Sequence, residues 1–532
     1  MKRILFLFLL PLVLSACLSA AAAAPKNDSR KLLAAMKKAT RFMYDRVSTE
    51  GGFVWNYTAD LSRRWGELEA YLTMVWVEKG TPEVGQLMID AYHATGDEFY
   101  YDMAVRSARI LIRGQLPCGG WNYKFDLAGA ASERRWFETI GRNAWGMGEH
   151  GHYYGNATFD DDVTASALNF LMRIYLEKND PQFKPALDKA VGMIFESQYP
   201  VGGWPQRWPL MHDHPDADGT PDYSACITFN DDVTPNNIEI LMRVAYVLGD
   251  ARAMEPLIRA MNCVRTLQQG TPAAGWADQY YLDLTPAKAR DFEPAAVSTV
   301  RTRDCIRLLM AFYRLTGDRK FLDGIPAALD FLRAAALDDA AAAGLGRKPG
   351  KGRLLCPRFV KPGTLTPLYM HRKGLHVDNG AYYIDQDPRN VIGHYAALVV
   401  IDADDLQRQY DALCALPVDE ATAGSPMLGK GRLELPRYHT PAIAAADPSH
   451  AGAVLSSLDG EGRWIGPLNW VLVPYIGPGS ADDPVPDTYE QTLGNPHNTA
   501  SLVTEPVEGV CLRTYINNMA TLIASLANRE NR

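Results

Sequence analysis

Four stretches of the chain close an apolar-periodic segment with the same kind of small turn: residues 87–97 (LMIDAYHATGD), 171–180 (LMRIYLEKND), 241–250 (LMRVAYVLGD) and 309–318 (LMAFYRLTGD). Their closing acids are 83, 70 and 68 positions apart, which leaves room for two helices and two connections per unit. In the third stretch Ile238, Leu241, Ala245 and Leu248 keep the 3-4-3 spacing of a helix face, as Leu168, Leu171 and Tyr175 do one unit earlier. One helical pair cannot bury its apolar face by itself, so repeated pairs stack side by side. The expected fold class is therefore mainly α. Repeated helical hairpins form an α/α toroid-like barrel over 31–375, and a loop-rich region with a few strands over 376–532 extends or completes it.

A second periodic element precedes the units. Residues 115–121 (QLPCGGW) and 198–204 (QYPVGGW) read as tight turns between helices, with glycines for positive φ and a Trp to fold over the helix ends. Between these turns and the helices lies a repeated acidic motif, TFDDDVT at 158–164 and TFNDDVT at 228–234. A carboxylate cluster repels itself unless a cation or a proton relieves it, so two matched copies point to a shared divalent metal or an acid/base pair. The competing reading is a pair of helix-capping loops, with Thr234-Pro235 as capping hydroxyl and first helical residue. Equivalent helices of a toroid run the same way, so Asp161 and Asp231 face one mouth. The same offset carried forward lands on Arg301 and Arg303, which adds guanidinium groups to that mouth. Carboxylates on one side and arginines on another suit an anionic substrate bridged by a divalent cation.

The N-terminus, basic Met1-Lys2-Arg3 followed by an apolar run, has the form of an export signal over 1–16. Leu14-Ser15-Ala16-Cys17 resembles a bacterial lipobox, making Cys17 a lipidated first residue with 17–30 as a tether, and the competing reading is a soluble secreted form cut after the Ala-rich stretch at 20–24. The expected location is outside the cytoplasm, anchored to the outer membrane and facing the periplasm or the cell surface. A net charge of −8 argues against a general nucleic-acid binder, and no protein partner is indicated. The eight cysteines lack the close pairs of a zinc site, and the seven beyond Cys17 read as buried small hydrophobes rather than a disulfide framework. Two His-x-His pairs, at 150–152 and 212–214, precede the acidic motifs and have the form of a transition-metal pair or of solvated loop histidines.

Together with the acidic motif, Gly203-Trp204-Pro205-Gln206-Arg207, Trp276-Ala277-Asp278-Gln279-Tyr280, the run 286–294 (PAKARDFEP) and Cys356-Pro357-Arg358-Phe359 resemble the ordered motifs of the pectic acid (pectate) lyases, polysaccharide lyase family 10. The resemblance implies calcium-assisted β-elimination of de-esterified galacturonan or a related polyuronate. It places Ca²⁺ on Asp160, Asp161 and Asp231 and the catalytic role on Arg290, as proton acceptor or as carboxylate clamp. Arg207, Lys288, Arg301 and Arg358 are the implied substrate carboxylate ligands, and Trp204 and Trp276 candidate stacking platforms. The chain departs from the family after the Glu-Pro element, where it reads AVSTVRTR at 296–303. Two alternatives stand beside the lyase: a surface lipoprotein that binds uronan without turnover, and a toroid glycoside hydrolase that uses two Asp.

Overall fold

The computed structural model describes residues 26–141, 155–211, 222–290, 292–373, 381–389, 391, 395–468 and 507–530. The export signal with Cys17, both His-x-His pairs and Asp291 lie outside them.

Each unit pairs a helix buried on almost every side with one that buries a single face. In Thr81–Thr95 the consecutive residues Leu87, Met88, Ile89, Asp90 and Ala91 are all buried, which only an interior helix permits. Its partner Glu98–Arg113 hides one stripe, with Tyr101, Ala104, Val105 and Ala108 along it. The pairs Val163–Lys178 with Lys184–Glu196, Val233–Tyr246 with Met254–Thr266, and Thr299–Thr316 with Ile325–Ala335 repeat the arrangement. The interior helices of the first three units pack in sequence against one another. The result is the α/α toroid of stacked hairpins that the repeats imply.

The repeated turns have a shared mechanism. Gly96 and Gly317 end their helices in the left-handed conformation, and Asn179 takes that place in the second unit. The acids that follow, Asp97, Asp180, Asp250 and Asp318, each accept the N–H two residues on and start the next helical turn. Gly119 and Gly202, at φ +107° and +109°, lie so close to the neighbouring outer helix that a Cβ would sit 2.3 Å from the carbonyl oxygens of Lys189 and Arg259. That approach explains the Gly-Gly-Trp repeat.

The end of the described chain meets its beginning. Strand Glu508–Cys511 pairs antiparallel with Asn56–Thr58, and helix Leu512–Glu530 packs against Lys26–Phe42 and Thr81–Thr95. Tyr515 and Thr40 share a buried hydrogen bond across that seam. A short antiparallel sheet sets Trp276–Ala277 beside Val297–Ser298, then Phe359–Val360, Pro367–Lys373 and Ala381–Asp385. Its register pairs Ser298 with both Trp276 and Phe359, so residues 278, 301 and 358 come to one place.

Segment 436–440 seals the C-terminal ends of the interior helices. Asp90, buried in Thr81–Thr95, pairs with Arg173 at 2.6 Å and accepts the backbone N–H groups of His439 and Thr440.

Candidate active site

The two acidic turns have nearly identical backbones and pack against each other. Asp161 and Asp231 both stand at φ +46°, and Asp162 and Asp232 follow in the left-handed region. Positive φ is costly for residues with a Cβ, so two matched pairs mark a geometry the site requires. The capping reading fails on this geometry. Asp162 and Asp232 occupy the N-cap positions but make no side-chain cap bond, and Thr234 lies inside the helix rather than capping it. The hydroxyls of Thr164 and Thr234 instead donate to Thr158 O and Thr228 O at 2.7 Å, which closes each turn.

Arg290 sits between the two turns. Its Nη2 is 3.1 Å from Asp231 Oδ2 and its Nη1 3.8 Å from Asp160 Oδ2. Glu293 holds it from behind, accepting from Nε and Nη2 at 2.9 Å. Glu293 is 1% exposed, and although burial works against its charge, Arg290 keeps its pKa below the usual range. The Tyr395 hydroxyl joins this network, donating to Glu293 and accepting from Asn230 and Arg290.

Beside this node lies a second one. Arg301, 4% exposed, reaches Asp232 at 3.3 Å through Nη1 and Asp278 at 3.6 Å through Nε. Burial opposes its charge, but Asp278, Asp232 and Asp304 together hold its pKa above the ordinary value. The other oxygen of Asp278 is 3.6 Å from Arg358, whose guanidinium lies 3.9 Å from the centre of the Tyr395 ring. The Asp278 carbonyl also accepts the N–H groups of Phe229 and Asn230, so one residue ties the third-unit acidic turn to both arginines.

Arg207 enters from the second unit, stacked over Tyr123 at 5.2 Å, and the Tyr123 hydroxyl donates to Asp160. Lys288 is half-buried on the loop that carries Arg290. Trp204 and Trp276 are corrections to the sequence reading. Both are 0% exposed and donate their indole N–H to Ile194 O and Val264 O, so they lock hairpins together and present no ring to a sugar. The buried indole N–H needs a partner, and the outgoing helix supplies one at the same place in each unit.

The first unit adds a turn of different charge. Lys79, at φ +45°, has its Nζ 2.6 Å from Glu78 Oε1 and 3.6 Å from Asp161 Oδ1. Sequence reasoning gives no part to Glu78, Lys79, Tyr123 and Tyr395, and it quotes Asp278 and Glu293 within motifs without assigning either a role. The 83-residue offset from Thr164 back to Thr81 was the available signal for the Glu78-Lys79 turn.

Asp160, Asp161 and Asp231 supply hard oxygen donors of the kind a divalent cation takes. Burial and then the Asp161 carboxylate raise the Asp231 pKa against the pull of Arg290, a repulsion that a cation would relieve. The donor chemistry fits Ca²⁺. Among the described residues, however, no three His, Cys, Asp or Glu groups converge as a metal site, and Arg290 and Lys79 lie against the carboxylates.

The span from residue 130 to 348 contains both acidic turns, Arg290 and Arg301. It matches the pectic acid lyase family. The lyase-matching region leaves out Lys79, Arg358 and Tyr395. Among solved structures the chain is similar to a family 10 polysaccharide lyase from Cellvibrio cellulosa, at 18% identity over 52% of this chain and 82% of that one, with a TM-score of 0.36. A variant of the Cellvibrio enzyme in complex with trigalacturonic acid aligns at 17% identity over 51% and 81%, TM-score 0.35. A GH76 alpha-mannanase from Bacteroides thetaiotaomicron aligns at 11% identity over 94% and 97%, TM-score 0.35. No curated protein matches the chain.

Proposed function

We propose that the protein is a polysaccharide lyase that cleaves de-esterified galacturonan, or a closely related polyuronate, by calcium-assisted β-elimination. The observation that carries the reading is Arg290, held by Glu293 between two left-handed acidic turns inside the region that matches pectic acid lyase.

Elimination removes the proton on C5 of a uronate, moves that electron pair into a C4=C5 double bond, and expels the glycosidic oxygen from C4, which then takes a proton. Arg290 is the group assigned to C5. Glu293 fixes its fork through two hydrogen bonds and the backbone N–H, so the guanidinium keeps one orientation toward the mouth. Arg301 and Arg358, braced by Asp278, bind further uronate carboxylates, with Lys288 and Arg207 along the same mouth. Asp160, Asp161 and Asp231 would hold Ca²⁺, which would offset the charge that builds on the uronate and draw carboxylate charge away from the Arg290 proton. Without that withdrawal, carboxylates around Arg290 favour its charged form and the clamp role.

The same reading makes the protein an exported lipoprotein anchored through Cys17, with an acidic polysaccharide as its partner. Purified protein with polygalacturonate is expected to produce the ultraviolet absorbance of a conjugated unsaturated uronate, and chelator is expected to suppress it. Saturated reducing ends without that absorbance would instead support hydrolysis by Asp161 and Asp231, a reading favoured by the raised pKa of Asp231 beside Asp161. Binding of uronan with neither product would leave a surface-binding role.

A further inference from the structure

The interior helix of the first unit begins, like its equivalents, after a left-handed turn. Asp161 and Asp231 stand two residues before the first helical residues Val163 and Val233, at φ +46°. Lys79 stands two residues before Thr81, at φ +45°. Aligned instead on the hydroxyls at the helix starts, where Thr81 donates to Trp76 O at 3.0 Å as Thr164 and Thr234 donate to Thr158 O and Thr228 O, Lys79 falls on Asp162 and Asp232, which are left-handed too, and Glu78 on Asp161 and Asp231. In either alignment the first unit puts an ammonium on left-handed backbone where its neighbours put carboxylates.

That ammonium is aimed. Glu78, 3% exposed, accepts from Lys79 Nζ at 2.6 Å and directs it toward Asp161 Oδ1, 3.6 Å away. The indole N–H of Trp55 donates to Glu78 O at 2.7 Å, and its ring lies 5.7 Å from Lys79 Nζ, which fixes the turn from the outer side. Left-handed backbone is unfavourable for a lysine, so the turn keeps this residue at a cost that a solvated lysine would not require.

We propose that Lys79 is a resident cation of the mouth that competes with a divalent metal ion for Asp161 and so sets the metal concentration at which the site fills. The proposal rests on the assignment of Asp161 as a metal ligand and reaches beyond it, to a residue outside the region that matches the lyase family. Two positive charges on one carboxylate repel, so metal entry requires Lys79 to withdraw from Asp161. Once withdrawn, its 37% exposed side chain remains at the rim of the cleft, where a substrate carboxylate is a natural counter-ion.

Calcium titration by calorimetry on the full-length protein tests this, with Lys79→Met and Lys79→Arg as the comparison. Lys79→Met is expected to bind Ca²⁺ at least about threefold more tightly than the parent, in keeping with the loss of one partly exposed competing charge. Lys79→Arg, which keeps that charge, is expected to stay near the parent. The gain in the Met variant should shrink as ionic strength rises, because the competition is electrostatic. Equal or weaker calcium binding by Lys79→Met overturns the proposal, and so does a parent and a variant that both bind none. Far-ultraviolet circular dichroism separates these outcomes from misfolding, and Lys79→Gln, which also removes the charge, takes the place of the Met variant if that variant unfolds. Product absorbance is a separate readout: tighter calcium binding without elimination would sustain the role of Lys79 and remove the lyase reading.

Discussion

Arg290 Nε donates to Glu293 Oε2 at 2.9 Å, and the Arg290 backbone N–H donates to the same oxygen at 3.1 Å. A residue that must meet a substrate carbon in one orientation needs its fork held from behind, and Glu293 does this without exposure to water. Glu293→Gln keeps the shape but gives up the charge and one acceptor. The expected outcome is a fall in kcat of roughly a hundredfold with a smaller change in KM, comparable to the loss of one preorganised electrostatic contact. Arg290→Lys is expected to do the same, since an ammonium cannot reproduce the fork. Initial rates of unsaturated-product formation check both, and full activity in either variant removes its assigned role.

Trp276 fills the hairpin interior and donates to Val264 O at 2.6 Å. Trp276→Ala should cost about 3–5 kcal/mol of stability by leaving a large cavity. Chemical denaturation measures the loss. A stable variant with a raised KM for polyuronate would restore the sugar-stacking role.

Asp90 and Arg173 form an ion pair with side chains 0% and 4% exposed, and Asp90 also accepts two backbone N–H groups of the sealing segment. Asp90→Ala leaves Arg173 buried without its counter-ion and is expected to destabilise by about 3–5 kcal/mol. Limited proteolysis should then cut near residues 436–440, and an unchanged cleavage pattern would show that Asp90 does not dock the segment.

Lys124 is fully buried, with Nζ 4.2 Å from the Trp136 ring centre and 4.6 Å from that of Phe137. Burial lowers its pKa to about 8, against the opposing pull of Glu133 and Glu67. The unfolded chain keeps this proton up to about pH 10.4, so between the two values the unfolded state binds more protons and stability rises with pH. Lys124→Met should remove that rise, which amounts to at most about 3 kcal/mol. Thermal melts of both proteins from pH 7 to pH 10, compared as a difference, give the result. Parallel curves would mean that Lys124 titrates normally.

The amino-acid sequence by itself determined the repeating hairpin, because helical periodicity, Gly-Asp stops and Gly-Gly-Trp turns are local features that recur at a readable spacing. It also determined that Asp161 and Asp231 are equivalent, since equal offsets along a repeat become equal positions around a ring. Tertiary structure decided what those positions meet. Arg358 reaches Asp278, and through it Arg301, only because antiparallel pairing sets Phe359 beside Ser298 and Ser298 beside Trp276. Tyr395 completes the Arg290 network from more than a hundred residues away along the chain. Trp204 and Trp276 carry the composition of sugar platforms but turn inward, because an indole surrounded by helices buries more apolar surface than one left at the mouth. Lys79 escaped the pattern since its turn is matched in backbone angle rather than in residue type. Periodicity along the chain specifies which segments are alike, and only packing in three dimensions specifies which unlike side chains share one charge.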